Sequence, residues 1–208
     1  MTADTEKNIR AFLAIEPPED ILQKISVLQE KLRREISDRI SWTKPEGQHL
    51  TLKFFGDIST NDVKNICSAV QKQITSQSPL NLKVETLGVF PDVRRPRVLW
   101  CGVSGDVERL SVLQKKIDSD LAAIGFPVED RPFRAHLTLG RIKASHDLTG
   151  ISTALTRHGT FAAGELICNE LVLFQSKLSS QGAVYTKLAE FALSGGYLNY
   201  CIFCNSSK

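Results

Sequence analysis

Apolar residues recur along this chain with two periods, one typical of strands and one typical of helices. Residues 8–17 form a short apolar run that ends at two prolines, which predicts a buried strand. From Glu19 the apolar positions are spaced three and four residues apart, which predicts an amphipathic helix. The buried face of that helix is expected to consist of Ile21, Ile25, Leu28 and Leu32.

The rest of the first half follows the same alternation. A strand is predicted over 49–56, and Ser59 or Thr60 can cap the helix after it. Two further strands, 80–90 and 96–104, flank a basic loop and are expected to pair. The inward positions of the helix are Val63, Ile66, Val70 and Ile74.

The second half repeats this order. Asp106 can open a helix, a strand follows near residue 136, and a short helix is predicted over 147–158. Two strands, 166–176 and 183–193, complete the second half. The apolar face of the first of these helices consists of Leu110, Leu113, Ile117, Leu121 and Ile124.

This internal repeat predicts the organisation of the chain. We expect one domain over residues 1–193, built from two similar α+β lobes of about 8–90 and 96–193 that face each other. Residues 194–208 depart from the repeat and are expected to form a loosely held C-terminal tail.

Composition indicates a folded protein of the cell interior. With 208 residues, 42% of them apolar, the chain can bury a sizeable core, and a net charge of +3 is too small to identify a partner. The sequence shows no secretory signal and no apolar run of about 20 residues, so we expect a cytoplasmic protein without a membrane partner. Five cysteines suit a reducing compartment, and the pair Cys201 and Cys204 lacks the second pair that a zinc site needs.

The tetrad His-Leu-Thr-Leu occurs twice, at 49–52 and at 136–139, in matching places of the two halves. Side chains alternate along a strand, so His49 and Thr51 share one face while their leucines share the other. The same holds for His136 and Thr138. If the lobes face each other, two imidazoles and two hydroxyls converge.

Such a group of side chains suits phosphoester chemistry. A neutral imidazole can accept a proton from water, a protonated one can give a proton to a leaving oxygen, and threonine hydroxyls can hold phosphate oxygens. One His-x-Thr is weak support, since threonine is common in strands, but two copies in a repeated architecture favour a functional site. His146 and His158 lack this pattern and are expected at the surface, and no spacing of metal ligands occurs.

Other side chains near the tetrads are candidates for substrate binding. Arg131, Arg134 and Arg141 can contact phosphates, and Arg134 is favoured because it shares a strand face with His136. Phe133 and Tyr185 can stack on a base. Phe54 can also do so, but alternation with Leu50 and Leu52 predicts that it packs in the core.

The two tetrads in HLTLKFFGD and RPFRAHLTLGR, with ISWTKPEGQ before the first and LFQSKLSSQGAVYTKL after the second, resemble the 2H phosphoesterase superfamily. The chain is most similar to its bacterial and archaeal RNA 2′,3′-cyclic phosphodiesterases, long called 2′-5′ RNA ligases. The resemblance covers about residues 8–193. It implies an α+β fold of two pseudo-symmetric lobes, each an antiparallel sheet with helices on its outer face, with the tetrads in a central cleft.

The same resemblance implies a reaction and its residues. A terminal 2′,3′-cyclic phosphate of RNA is opened to a 2′-phosphomonoester without metal or other cofactor, and 2′-5′ joining of RNA ends is a side activity. His49 is the implied proton donor, His136 the proton acceptor, and Thr51 and Thr138 bind phosphate. We expect a monomer whose partner is an RNA or nucleotide with a 2′,3′-cyclic phosphate end.

Two alternatives stay open on sequence alone. The substrate can be a small cyclic nucleotide, such as an ADP-ribose cyclic phosphate. The same site can also belong to a nucleotide- or RNA-binding module without turnover, although the presence of both histidines argues against that alternative.

Overall fold

The computed structural model describes residues 8–37, 39–143, 148–179 and 182–195. The strands are β1 (Ile9–Ile15), β2 (Ile40–Trp42), β3 (Leu50–Ile58), β4 (Leu80–Phe90), β5 (Val98–Gly105), β6 (His136–Ile142), β7 (Ala162–Cys168), β8 (Glu170–Ser179) and β9 (Gly182–Ala192). The α-helices are α1 (Glu19–Glu35), α2 (Thr60–Ile74), α3 (Val107–Ala122) and α4 (Leu148–His158), and a short 3-10 helix covers Pro45–Gly47. The predicted α+β class is confirmed.

The strands form one antiparallel sheet in the order β7-β4-β5-β6-β3-β1-β8-β9, with β2 paired to β6 beside that path. The pairing that joins β3 to β6 at the centre is that of Leu50 with Leu137. Each side of this centre takes strands from both halves of the chain, because β8 and β9 pair beside β1 while β4 pairs beside β5. The strands of the two sequence repeats are therefore interleaved in the sheet.

The sheet is strongly curled. β7 lies at one end of the strand order and β8 lies next to the other end, yet Asn169 alone separates Cys168 from Glu170. Consecutive Cα atoms are about 3.8 Å apart, so the two ends of the sheet must approach each other. The prediction of one strand over 166–176 was wrong for this reason, since the run crosses from one end of the sheet to the other.

The two faces of the sheet bury different residues. On the face that we call the helix face, alternate residues of β1 pack with the four helices in the main core. Residues of all the remaining long strands belong to the same core. On the opposite face, the histidine face, Phe12 and Ala14 of β1 form a second cluster with Val172 and Phe174. Alternate residues of β1 thus enter two separate clusters, which agrees with the buried strand that the apolar run predicted.

The helices largely follow the predicted apolar spacing. Ser59 caps α2 through a capping box with Asp62, which confirms one of the two predicted caps. The four predicted core residues of α1 are buried, and in α2 all but the partly buried Val63 are buried. Ile124 was wrongly assigned to the core, because α3 ends at Ala122 and the side chain is 44% exposed.

Both tetrads end in a β-bulge. In β3, Thr51 pairs with Ala14 and Lys53 with Leu13, so Leu52 is the extra residue. In β6, Thr138 pairs with Trp100 and Gly140 with Leu99, so Leu139 is the extra residue. After each bulge the alternation of faces is inverted. Equivalent positions of the repeat, Phe54 and Arg141, therefore turn onto the histidine face.

The bulge overturns the expectation for Phe54. Simple alternation with Leu50 and Leu52 predicts a core residue, but Phe54 is 61% exposed and its ring lies 5.8 Å from that of Phe12. Its neighbour Lys53 takes the buried position on the helix face instead.

Lys53 forms a buried ion pair with Asp118 of α3. The Lys53 ammonium group also donates to the Pro127 carbonyl, and the other Asp118 oxygen accepts from the Glu129 amide at 3.1 Å. These bonds tie the strand of the first tetrad to the segment that leads into β6. The ion pair therefore connects the strand that carries the first tetrad to the segment that precedes the second tetrad.

None of the helices in the described residues is long and apolar enough to cross a membrane. The expected domain limits, the monomeric state and the cytoplasmic location stay predictions.

We predict that loss of either partner of the Lys53–Asp118 pair destabilises the protein more than loss of both. Lys53→Met or Asp118→Leu alone should lower the free energy of unfolding by about 3–5 kcal/mol, because each leaves an unpaired buried charge. The double change should restore most of that loss, since no charge is left buried. Urea unfolding followed by circular dichroism measures all three variants.

The surface pair of Lys72 with the partly buried Asp120, at 3.1 Å, provides the control. Lys72→Met should cost less than about 1 kcal/mol because the ammonium group is well solvated. Additive losses in the Lys53→Met/Asp118→Leu protein would show that the two charges do not act as a pair.

Candidate active site

The four side chains of the tetrads meet where β3 and β6 join. Pairing of Leu50 with Leu137 is antiparallel, so extension of this register by one residue sets His49 opposite Thr138 and Thr51 opposite His136. Residues next to a paired position point to the other face, which places all four polar side chains on the histidine face. Each of them is partly exposed.

The two histidines are diagonal neighbours in this register. Ordinary sheet geometry separates diagonal neighbours by about 7–8 Å, which leaves room for a phosphate between two imidazoles. The arrangement that the sequence repeat predicted is thus produced by adjoining strands of one curled sheet.

The backbone holds both imidazole rings in the same way. Nδ1 of His136 donates to the Arg134 carbonyl at 2.6 Å, and the ring of His49 donates to the Gly47 carbonyl. In each case the carbonyl lies two residues before the histidine. In His136 this bond leaves Nε2 as the nitrogen that can accept or release a proton.

Aromatic rings surround His49. The centroid of its ring lies 4.6 Å from that of Phe174, 5.1 Å from Tyr185 and 5.4 Å from Phe12. Burial among these rings lowers the pKa of His49, and the cation of Lys187 acts in the same direction. The carboxylate of Glu16 and the bond to Gly47 act in the opposite direction, because both stabilise the imidazolium ion.

His136 has a different electrostatic environment. Its ring meets Phe90 edge to face at 4.9 Å, and the Arg134 guanidinium lies 5.7 Å from the same Phe90 ring. Burial lowers the pKa of His136, the bond to the Arg134 carbonyl raises it, and the nearby cation of Arg141 lowers it further. Because the Arg141 side chain is a cation, it favours the neutral form of the His136 imidazole.

Glu16 also belongs to a small network of charges. Lys187 of β9 lies 2.8 Å from Glu16 and 3.0 Å from Glu190, and these carboxylates raise the pKa of Lys187 above its ordinary value. Glu16 directly follows β1 and so reaches the edge of the His49 environment. A carboxylate is thus held near one histidine, whereas an arginine is held near the other.

The predicted binding residues fall into two groups. Arg134 and Arg141 lie near His136, and Tyr185 lies against His49, as described above. Arg131 is exposed in the loop before β6, without a contact to either histidine among the described residues. Phe133 packs against the main core and lines a shallow hollow with Val103 and Val107 of the helix face, which does not suit base stacking.

Sequence reasoning missed the residues that shape the two histidine environments. They are Phe12, Glu16, Phe90, Phe174 and Lys187, from four different strands or their ends. The aromatic residues alternate with core residues in their strands, which marks the face that they occupy but not the histidine that they contact.

The remaining cysteines and histidines lie elsewhere. Burial raises the pKa of the Cys101 and Cys168 thiols to about 12, so they are not reactive thiolates at neutral pH. His158 is less exposed than expected, because its Nε2 lies 3.0 Å from Glu35. His146, Cys201 and Cys204 lie outside the described residues. Within the described ranges, His, Cys, Asp and Glu side chains do not assemble in groups of three or more that could hold a metal.

The fold and site define a class of protein: a duplicated α+β fold with one His-x-Thr from each repeat on adjoining strands, suited to acid–base chemistry on a phosphate. The family model described as LigT like phosphoesterase matches residues 15–100 and 102–185, so each matched segment contains one tetrad. The chain belongs to this family, which confirms the resemblance to 2H phosphoesterases.

Similar proteins support the same assignment. The chain is 34% identical to the RNA 2′,3′-cyclic phosphodiesterase of Aquifex aeolicus over 91% of its own length and 100% of that protein. It is 31% identical to the RNA 2′,3′-cyclic phosphodiesterase of Methanothermobacter thermautotrophicus, over 89% and 99% of the two chains. A crystal structure from Thermus thermophilus matches with a TM-score of 0.74 and 25% identity, over 91% of this chain and 100% of that one.

We predict opposite effects of the two charges beside His49. Glu16→Gln should lower the pKa of His49, because the imidazolium ion loses an attractive carboxylate. Lys187→Met should raise it, because a repelling cation is lost and Glu16 loses its ion-pair partner. Titration of the histidine ring signals by NMR measures both shifts.

The pKa of His136 in the same spectra is the internal control and should stay nearly constant in both variants. Shifts of His49 in the same direction, or equal shifts of His136, would contradict the assignment of Glu16 and Lys187 to the His49 environment.

Proposed function

We propose that this chain hydrolyses the 2′,3′-cyclic phosphate at the end of an RNA to a 2′-phosphomonoester by paired-histidine acid–base catalysis. The observation that carries the proposal is the pairing of Leu50 with Leu137, which sets a His-x-Thr from each repeat on one face. Relatives up to 34% identical are named RNA 2′,3′-cyclic phosphodiesterases.

The unequal charges support the roles of the two histidines. His136, with the Arg141 cation nearby, is the better candidate for the neutral base, and its Nε2 can take a proton from water. His49, with the Glu16 carboxylate nearby, is the better candidate for the protonated acid.

In the proposed reaction, the oxygen of the activated water forms a bond to phosphorus while His136 takes its proton. The bond between phosphorus and the 3′-oxygen breaks, and His49 gives its proton to that leaving oxygen. The phosphate stays on the 2′-oxygen. Proton exchange with solvent returns both histidines to their starting states.

The threonine hydroxyls complete the phosphate site. Thr51 lies opposite His136 and Thr138 opposite His49 in the extended register, so each hydroxyl can donate to a non-bridging oxygen. The Arg134 guanidinium, stacked on Phe90 beside His136, adds a cation on one side of the phosphate.

Two aromatic side chains supply surfaces for the nucleoside. Phe54 is exposed on the histidine face beside Phe12, and Tyr185 lies against His49, so both can stack on a base.

The same pair of histidines allows reversible 2′-5′ ligation, since a 5′-hydroxyl of RNA can replace water as the group that His136 deprotonates.

We predict large and unequal losses when the tetrads are changed. His49→Ala and His136→Ala should each reduce turnover of a cyclic-phosphate RNA by about 100- to 10,000-fold, a typical acid–base contribution. Their combination should cost much less than the product, because both serve one transition state. Thr51→Ala and Thr138→Ala should each cost roughly threefold to tenfold, the value of one neutral hydrogen bond.

His158→Gln is the control, since His158 pairs with Glu35 away from the tetrads and its loss should leave turnover near that of the unchanged protein. Thermal unfolding checks that each variant is folded. All assays contain excess EDTA, because the proposed reaction uses no metal. A folded His136→Ala protein with undiminished turnover, or an EDTA loss that a divalent ion restores, would contradict the mechanism.

We predict a bell-shaped pH profile of kcat/KM with its maximum below pH 6.5. One imidazole must be neutral and the other protonated, and burial lowers the pKa of both from the ordinary value of 6.5. Lower pKa values move both limbs of the profile to lower pH. Initial rates on one cyclic-phosphate substrate across pH 4.5 to roughly 8.5 test this, and a rate that rises steadily with pH would show that no general acid is needed.

A further inference from the structure

A line of cationic side chains continues from the catalytic site along β6. On the histidine face, β6 and the residues before it carry Arg134, His136 and Thr138 in turn. The bulge at Leu139 then inverts the alternation, so that Arg141 and Lys143 follow on the same face. We call Arg141, Lys143 and the adjoining Arg39 the basic track.

Arg39 joins the track from the neighbouring strand. Ser41 of β2 pairs with Arg141, and the Lys143 amide donates to the Arg39 carbonyl at 2.9 Å. Continuation of this antiparallel register sets Arg39 opposite Lys143, and directly opposite residues point to the same face. All three side chains of the basic track are exposed.

The charges of the basic track are not neutralised within the described residues. Elsewhere, cations such as Lys24, Lys72 and Arg109 lie within 3.3 Å of a carboxylate. In the part of the chain that the structure describes, no carboxylate forms an ion pair with Arg39, Arg141 or Lys143.

The adjoining loop between β4 and β5 extends the same positive surface. It carries Arg94 and Arg95, both exposed, and ends where the Arg97 carbonyl accepts from Ile142 of β6 at 2.9 Å. The carboxylate of Asp92 in this loop accepts from the backbone amides of Arg94 and Arg95 at 2.8 Å and 3.1 Å. Its position caps the turn.

We propose, on the basis of the proposed function above, that the basic track binds the backbone of a single-stranded RNA upstream of the reacting end. A strand rises about 3.3 Å per residue, so Lys143 lies roughly 20 Å along β6 from His136. A mononucleotide held at the histidines has no phosphate at that distance, whereas an oligonucleotide has several. The track therefore favours RNA over a small cyclic nucleotide as the substrate.

The chemistry of the basic track also predicts which RNA substrates it favours. Exposed arginine and lysine side chains bind phosphates with little regard to base, and each phosphate contact releases counterions. Preference for longer RNA should therefore be independent of base sequence and should weaken with salt.

The test compares two substrates with the same terminal nucleotide, a mononucleoside 2′,3′-cyclic phosphate and an oligonucleotide of about eight residues ending in that group. In the double variant Arg39→Gln/Lys143→Gln, kcat/KM for the oligonucleotide should fall roughly tenfold at 0.1 M salt, and the log–log salt slope should become shallower by roughly 1.4. The value for the mononucleotide should not change.

The double variant Lys115→Gln/Lys116→Gln is the matched control, because it removes the same net charge from two exposed positions of α3. It should leave both substrates unaffected. Equal losses on both substrates, an unchanged value for the oligonucleotide in the Arg39→Gln/Lys143→Gln protein, or an equal effect of the control would overturn the proposal.

A second measurement separates this proposal from the proposed function. Fluorescence anisotropy measures the binding of a labelled oligonucleotide that already ends in a 2′-phosphate, so it does not require turnover. If the unchanged protein opens neither cyclic phosphate, the proposed function fails. Weaker binding in the track variant alone would then still support the basic track, and equal binding by all three proteins would refute it.

Discussion

The pairing of Leu50 with Leu137 is the contact on which the rest of this molecule depends. Both side chains are fully buried, and their strands join the two sides of the curled sheet at this point. Because neighbouring residues in a strand face opposite ways, burial of these leucines forces a histidine and a threonine from each strand onto the other face. Apolar packing on the helix face thus determines where the polar groups of the site meet.

An approximately symmetric scaffold gives the two histidines different electrostatic surroundings. A carbonyl two residues upstream holds each imidazole, and a bulge at the last leucine of each tetrad inverts the following residues. The side chains brought in by other strands differ, with Glu16 near His49 and Arg141 near His136. The mechanism that we propose needs one neutral and one protonated imidazole, and these unequal surroundings suit the two histidines to those different states.

Equivalent positions after the two bulges also carry different chemistry. Phe54 presents an exposed ring and Arg141 an exposed cation, each on the histidine face of its strand. The residue before each of them turns toward the helix face, where Lys53 reaches Asp118 and Gly140 lies close to Ile40. A small irregularity of the backbone therefore decides which side chains share a face with the tetrads and which face the core.

The sequence by itself determined the α+β class, the repeat, most helix and strand positions and the paired tetrads, because these depend on local periodicity and on residue types that recur at fixed spacing. Tertiary structure alone decided the surroundings of each histidine, since Phe174, Tyr185 and Lys187 come from strands more than a hundred residues from His49 along the chain. It also decided on which face of the sheet Phe54, Lys53 and Arg141 lie. A bulge exists only relative to a partner strand, so periodicity within one strand cannot reveal where alternation inverts.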